Sequence, residues 1–222
     1  MNMAVKTRAG QETAADERTE EFSVRQREVL DAVLALMVEE GDGFSMAAVC
    51  RRASCSKETL YNWFGDRDGL LTATVQWQAS KVKMPVLPGE GLSRVALERA
   101  LAGFAANWLA VLTSDLSIAL NRAAVSHAGQ GAGSGKSRLG EIVLTNGPDA
   151  MRRRLDPLFA AGRDAGLLAF EDAAEPFRAF FGLAIGDTQI RVLLGGTVRL
   201  TEAEREHRAA LAAKQFLALY GT

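Results

Sequence analysis

From residue 22 onward the apolar positions recur at three- and four-residue spacing, the period of an α-helix that buries one face. Val29, Leu30, Val33, Leu34, Leu36 and Met37 form the first such set. Ser23-Val24-Arg25-Gln26 before them is a capping box, in which Ser and Gln side chains take up free backbone amides, and Phe22 is placed to staple the start. Gly41-Asp42-Gly43 ends that helix. Ser45 then caps a short helix with Met46, Val49 and Cys50 on its apolar face. After the turn Ala53-Ser54-Cys55, Ser56 caps a second short helix, Lys57 to Trp63, anchored by Leu60 and Phe64. Gly65 breaks it, and Asp66 opens a longer helix through Leu70, Leu71, Val75 and Trp77. Pro85, Pro88, Gly89 and Gly91 mark the next break.

The rest reads as longer amphipathic helices. One runs from Leu92 to Leu112, with Val95, Leu101, Phe104, Trp108 and Leu112 near one face, and another covers 115–127. Residues 128–137 are glycine-rich and read as a loop. Helix returns over 138–165, with possible breaks at Gly147-Pro148 and Asp156-Pro157. Asp172-Ala173-Ala174-Glu175 resembles a capping box for one helix carrying Phe177, Phe180, Phe181, Ile185, Ile190 and Leu193 up to Gly195-Gly196. Thr201-Glu202-Ala203-Glu204 is a capping box for a final helix with Leu211, Phe216, Leu217 and Leu219. Residues 1–21 are polar and aperiodic and read as a disordered arm. No run alternates as a strand does, so the expected fold is all-α: an N-terminal three-helix helix-turn-helix domain over 22–70, then a larger helical domain over 71–222.

Composition narrows the function classes. The chain has 222 residues, 48% hydrophobic and 24% charged, with a net charge of −1. It can bury a core without metal or disulfides and is no polycation. Two cysteines, Cys50 and Cys55, and two histidines are too few for a disulfide scaffold or a zinc cluster. No apolar run of about 18 residues suggests a membrane span, and no apolar stretch marks a leader, so a cytoplasmic protein without membrane contact is expected. Up to Lys83 there are 11 bases against 13 acids. Any nucleic-acid contact must therefore use local clusters, for which Arg25, Arg27, Arg51, Arg52, Lys57 and Arg67 are candidates.

Residues 44–64, FSMAAVCRRASCSKETLYNWF, have helix-turn-helix spacing. Ala47, Ala48 and Ala53 let two helices approach; Leu60 and Phe64 hold the second on its core. Lys57, Thr59, Tyr61 and Asn62 are then free to face outward. Ser45 and Ser56 cap helices whose amide ends attract phosphate. Thr59 and Asn62 have the size for base edges or a thymine methyl, and Tyr61 can donate to phosphate.

The stretch SMAAVCRRASCSKETLYNWFGDRDGLL resembles the DNA-binding domain of the TetR family of transcriptional regulators, and the helical remainder is similar in length and helix count to the AefR-like branch. The resemblance implies DNA contacts at Ser45, Ser56, Lys57, Thr59, Tyr61, Asn62 and Trp63, and a backbone contact at Arg67, where lysine is usual. Two positions depart from the family pattern. Ser54-Cys55 replaces a glycine and an apolar residue in the turn, and Trp63 replaces histidine or tyrosine. The resemblance further implies a homodimeric repressor of a pseudo-palindromic double-stranded DNA operator. It would dimerise through the last two helices and be released by a small apolar effector bound among residues 77–185. Candidate effector-binding residues are Trp77, Phe104, Trp108, Arg122, His127, Phe159, Phe177 and Phe181, which read equally as core or solvated positions. The segment 131–137, GAGSGKS, lacks the first glycine of a phosphate loop because Gln130 stands there. Cys50 and Cys55 read as small hydrophobes, with a redox role as the alternative. No cofactor, metal site or catalytic group is indicated. The rival reading is an all-α ligand-binding protein or enzyme whose helix-turn-helix is incidental; it implies no salt-sensitive DNA affinity.

Overall fold

The structure, a computed structural model, describes residues 22–84, 91–126 and 138–222. The expected arm at 1–21, the break at Pro85 and Pro88 and the glycine-rich 128–137 lie outside them. Among the described residues the chain is helical, with one isolated antiparallel bridge between Leu168 and Gly221. The helices are α1 (Val24–Glu40), α2 (Met46–Ala53), α3 (Lys57–Phe64), α4 (Arg67–Ser80), α5 (Arg94–Leu112), α6 (Asp115–Ser126), α7 (Leu139–Asn146), α8 (Pro148–Asp164), α9 (Ala174–Ile185), α10 (Thr188–Leu193) and α11 (Glu202–Tyr220). A 3-10 turn, Gly41–Gly43, follows α1.

They form two compact units. One holds the described residues through Ser80 together with those between Ala123 and Ala150. The other holds Lys81–Arg122 and Met151–Thr222. The helix-turn-helix motif ends near residue 70, but α4 continues unbroken to Ser80 and packs on α1 and α7 within the first unit.

Where a helix start is written in three or four adjacent residues, the local chemistry decides it. Ser23 and Gln26 form a full capping box, as do Thr201 and Glu204. The Ser45, Ser56 and Ser93 hydroxyls accept from Ala48, Thr59 and Ala96 amides at 3.1, 3.0 and 3.2 Å. Asp66 accepts from the Gly69 amide at 2.8 Å.

Four readings are corrected. The helix expected through Leu193 breaks after Ile185, where Gly186 takes φ 54° and α10 starts afresh. Asp156-Pro157 is no break: α8 runs through Pro157, which removes one backbone donor but leaves the flanking turns intact. Asp172 does not box with Glu175; it accepts from the Ala174 amide instead. Finally, α5 is long and apolar enough to cross a membrane by length and composition alone. Its Leu97, Leu101, Phe104, Ala105, Trp108 and Leu109 are buried, whereas Val95 faces solvent.

The core of the second unit sits where α11 packs on α5 and α9. Ala209, Ala212 and Ala213 keep α11 slim there, and Phe216 fills the space beyond them without exposure. Phe216 touches Phe159 and Phe180 at ring separations of 5.4 Å each. In the first unit, Val29, Leu30, Val33, Leu34, Phe44, Val49, Leu60, Leu70 and Leu71 are buried. The joint between α3 and α4 is tight: a Cβ on Gly69 would lie 2.0 Å from the Phe64 carbonyl oxygen. Gly69→Ala must therefore push backbone against backbone and is expected to cost at least about 2 kcal/mol, read as a lowered midpoint in denaturant at unchanged slope.

Candidate nucleic-acid interface

The geometry of α3 follows from the turn that precedes it. Ser54 takes φ 50° and ψ 49°, the one positive-φ non-glycine residue among those described. The Cys55 amide bonds the Cys50 carbonyl at 3.0 Å, and the Ser54 amide points to the Arg51 carbonyl at 3.4 Å. This is a Schellman turn with serine in the place that glycine usually holds. Arg25 on α1 closes it from outside, its guanidinium donating to the Ala53 and Ser54 carbonyls at 2.6 and 2.9 Å.

From this turn α3 emerges with Leu60 and Phe64 buried beneath it. Ser56, Lys57, Tyr61 and Asn62 are exposed, and Tyr61 shows 47% of its surface. Lys57 and Tyr61 lie one helical turn apart and share a face. The Ser56 and Thr59 hydroxyls are 2.8 Å apart, so Thr59 is half-buried and partly engaged at the cap. Trp63 is half-buried, its ring edge-on to Phe64 at 6.2 Å. Ser45 is exposed at the start of α2. The surface thus offers a cation, a phenol, an amide and two helix-capping hydroxyls on two short helices.

Most nearby guanidinium groups serve the fold. Besides Arg25, Arg27 donates to the Phe22 carbonyl at 2.7 Å and lies over the Trp77 ring. Arg52 binds Glu39 through two donors at 2.5 and 2.7 Å and holds that carboxyl below the usual carboxylate range. Arg67 donates to the Phe44 carbonyl at 2.8 Å and lies over its ring. Arg51 and Lys57 are exposed.

The candidate effector residues do not gather in one place. Trp77 belongs to the first unit: its indole donates to Asp31 at 2.8 Å, and the neighbouring Gln76 donates to Asn146 at 3.0 Å. A polar hydrogen bond to α1 thus took a residue that sequence reading grouped with apolar ones. Arg122 closes the end of α10, donating to the Val192 and Leu193 carbonyls at 2.7 and 3.2 Å. His127 lies outside the described residues. Phe159 is stacked on Phe216 in the core. Phe104, Trp108, Phe177 and Phe181 do come together, with Trp108 at 5.4, 6.0 and 5.1 Å from the other three rings. Phe181 is half-buried and the other three are buried.

Arg25, expected in a DNA-facing cluster, instead clamps the turn, and sequence reading passes over Asp31, the partner of Trp77. Arg25 carries a weak signal, a base one helical turn from Glu28 at a capping box. Asp31 carries none, because its partner is 46 residues away.

Comparison with known proteins covers both units. The AefR-like transcriptional repressor C-terminal domain matches residues 99–222. The crystal structure of a TetR transcriptional regulator from Agrobacterium tumefaciens is 42% identical, covering 90% of this chain and 96% of that one, with a TM-score of 0.77. A TetR-family regulator from Mesorhizobium loti is 26% identical over 89% of this chain and 97% of that one, with a TM-score of 0.71. The flavonoid-responsive regulator FrrA is also 26% identical over 89% of this chain and 97% of that one, with a TM-score of 0.64. The helix-turn-helix transcriptional regulator BetI of Paraburkholderia xenovorans is 38% identical over 64 residues, which is 26% of this chain and 33% of that protein. The chain thus spans about a third of the length of the curated relatives it matches.

The αL serine predicts the effect of one substitution. Ser54→Gly removes the clash of Cβ with the following carbonyl and is expected to stabilise the protein by about 1 kcal/mol, seen as a higher denaturant midpoint.

Proposed function

The chain belongs to the TetR family of transcriptional regulators, DNA-binding proteins of helix-turn-helix type, and on that premise we propose that it is a ligand-responsive repressor acting as a homodimer on a pseudo-palindromic operator. Residues 22–70 bind DNA; effector binding and dimerisation fall to elements of 71–222. The observation that carries the reading is α3, aimed by the clamped turn and anchored by Leu60 and Phe64, with Lys57, Tyr61 and Asn62 exposed. In this reading Asn62 and Thr59 meet base edges in the major groove and Tyr61 meets phosphate and sugar. Ser45, Ser56, Lys57, Trp63 and Arg67 set the register on the backbone. Two copies of α3, about 34 Å apart, would enter successive major grooves.

Exposed apolar side chains late in the chain support the dimer. Ile190 and Leu194 at α10, and Leu211 and Leu219 on α11, are 54%, 81%, 48% and 66% exposed. Such a concentration of large apolar groups marks an interaction face. The opposite face of α11 is already buried on α5 and α9. The two helices would meet their partners' as a four-helix interface.

The effector would bind at Phe104, Trp108, Phe177 and Phe181. Their contacting rings form an apolar aromatic wall, with Phe181 only half-buried, against which an apolar aromatic ligand can stack. The flavonoid response named for FrrA supports the same ligand class. Release would follow only from a difference in the ligand's affinity for DNA-competent and DNA-incompetent states.

The test is titration of the protein into labelled DNA from directly upstream of its coding region, with a scrambled competitor. Two chains should bind per site, and affinity should fall at least about tenfold between 50 and 200 mM salt as counterions reoccupy the phosphates. Tyr61→Ala should weaken specific binding by at least about tenfold without changing the fold. No binding to either DNA at low salt would sink the reading and favour the incidental-motif alternative. In a second measurement, a flavone added to the preformed complex should release DNA and quench the Trp108 emission. Trp108→Leu should lose the release while DNA binding without flavone stays intact.

A further inference from the structure

The sequence has two cysteines, and the Schellman turn brings them together. That motif commonly sets an apolar contact between the residue three positions back from the helix end and the second residue beyond it. Here those positions are Cys50 and Cys55. Their backbones are joined by the 3.0 Å hydrogen bond, which keeps the two α-carbons within about 7 Å, close to the reach of a disulfide. Both thiols are free and half-buried, and the two side chains adjoin. Neither is among the groups proposed to touch DNA. Cys55 directly precedes Ser56, the cap that starts α3.

We propose that Cys50 and Cys55 form an oxidisable pair that controls operator binding, their disulfide turning α3 away from its DNA-competent orientation. This rests on the operator reading above. The oxidant is a peroxide. One sulfur attacks a peroxide oxygen, the O–O bond breaks, and a sulfenic acid and water or an alcohol result. The second thiol attacks that sulfur, the S–S bond forms, and a further water leaves. Two thiols give up two electrons in total, and the peroxide takes them. An S–S bond of about 2.05 Å is far shorter than a contact between separate sulfurs. Closing it draws Cys55 toward α2 and moves Ser56 with it. The Ser54 and Arg25 contacts of the turn then no longer fit together. Burial, with Cys50 beside it, pushes the Cys55 thiol above its ordinary range, so oxidation is slower than at an exposed cysteine.

The experiment treats the full chain with graded hydrogen peroxide, blocks the remaining thiols, and reads intact mass and DNA affinity on the same samples. The expected result is a monomer about 2 Da lighter with both cysteines unreactive to the blocking reagent. Its affinity for the upstream DNA should be at least tenfold weaker, and dithiothreitol should restore it. Cys50→Ser and Cys55→Ser should each bind DNA as the reduced parent does, with an affinity that peroxide leaves unchanged. If one of them fails to fold, the other and the dithiothreitol reversal carry the test. Retention of both thiols under peroxide overturns the proposal, as does a disulfide that leaves affinity unaltered. Reduced protein that binds no DNA overturns the operator reading and the control function with it, while the mass readout judges the thiol pair independently.

Discussion

The direction of α3 depends on one short turn closing between two helices. Cys50 to Ser56 must reverse the chain within a few residues, and the backbone manages it only by placing Ser54 in the left-handed region. A residue with a Cβ is strained there. The Arg25 guanidinium offsets that strain by binding the two carbonyls that the turn leaves open. Leu60 and Phe64 then fix the rotation of α3 about its own axis. If either support is removed, Lys57, Tyr61 and Asn62 remain on the helix but face no defined direction.

The same economy explains how an acidic N-terminal half can bind a polyanion. Its arginines are largely committed to carbonyls, to Glu39 and to aromatic faces within the unit. Those commitments hold the guanidinium groups to the fold, and the pairings of Arg52 with Glu39 and Arg25 with Glu28 also neutralise their charge. Affinity then has to come from a few well-placed groups. A steep field around the whole domain is unnecessary. Such a protein gains specificity from geometry, because it has little sequence-independent attraction to give.

How far the sequence could be read depended on the range of the interaction. Ser23, Ser45, Ser56 and Thr201 were legible as caps because the groups they satisfy lie within three residues. Ser54 was legible as a strained glycine substitute only through the family pattern, which has glycine there. The break at Gly186 was not, since an apolar pattern continues across it and only the backbone angle reveals it. Trp77 was misplaced because an indole reads as apolar until its partner, Asp31, is known. Val95 fits a helical stripe yet faces water, because the stripe on α5 is centred by α11, which lies a hundred residues on. The recognition residues were legible as a motif, but their assignment to DNA came through family resemblance. Exposure alone would suit solvent equally well.

The position of Trp77 bears on how a signal could reach α3. Gln76 and Trp77 are neighbours on α4 and point to different partners, Asn146 on α7 and Asp31 on α1. One helix is thereby tied on two sides near its C-terminal end. At its other end Gly69 permits near-contact with the last residue of α3. A helix held at three points transmits displacement better than it absorbs it by bending, because packed interiors shift between discrete arrangements and do not deform continuously. A change at either tie would therefore move α4 as a rod. The joint at Gly69, with no side chain to cushion it, would pass that movement directly to α3.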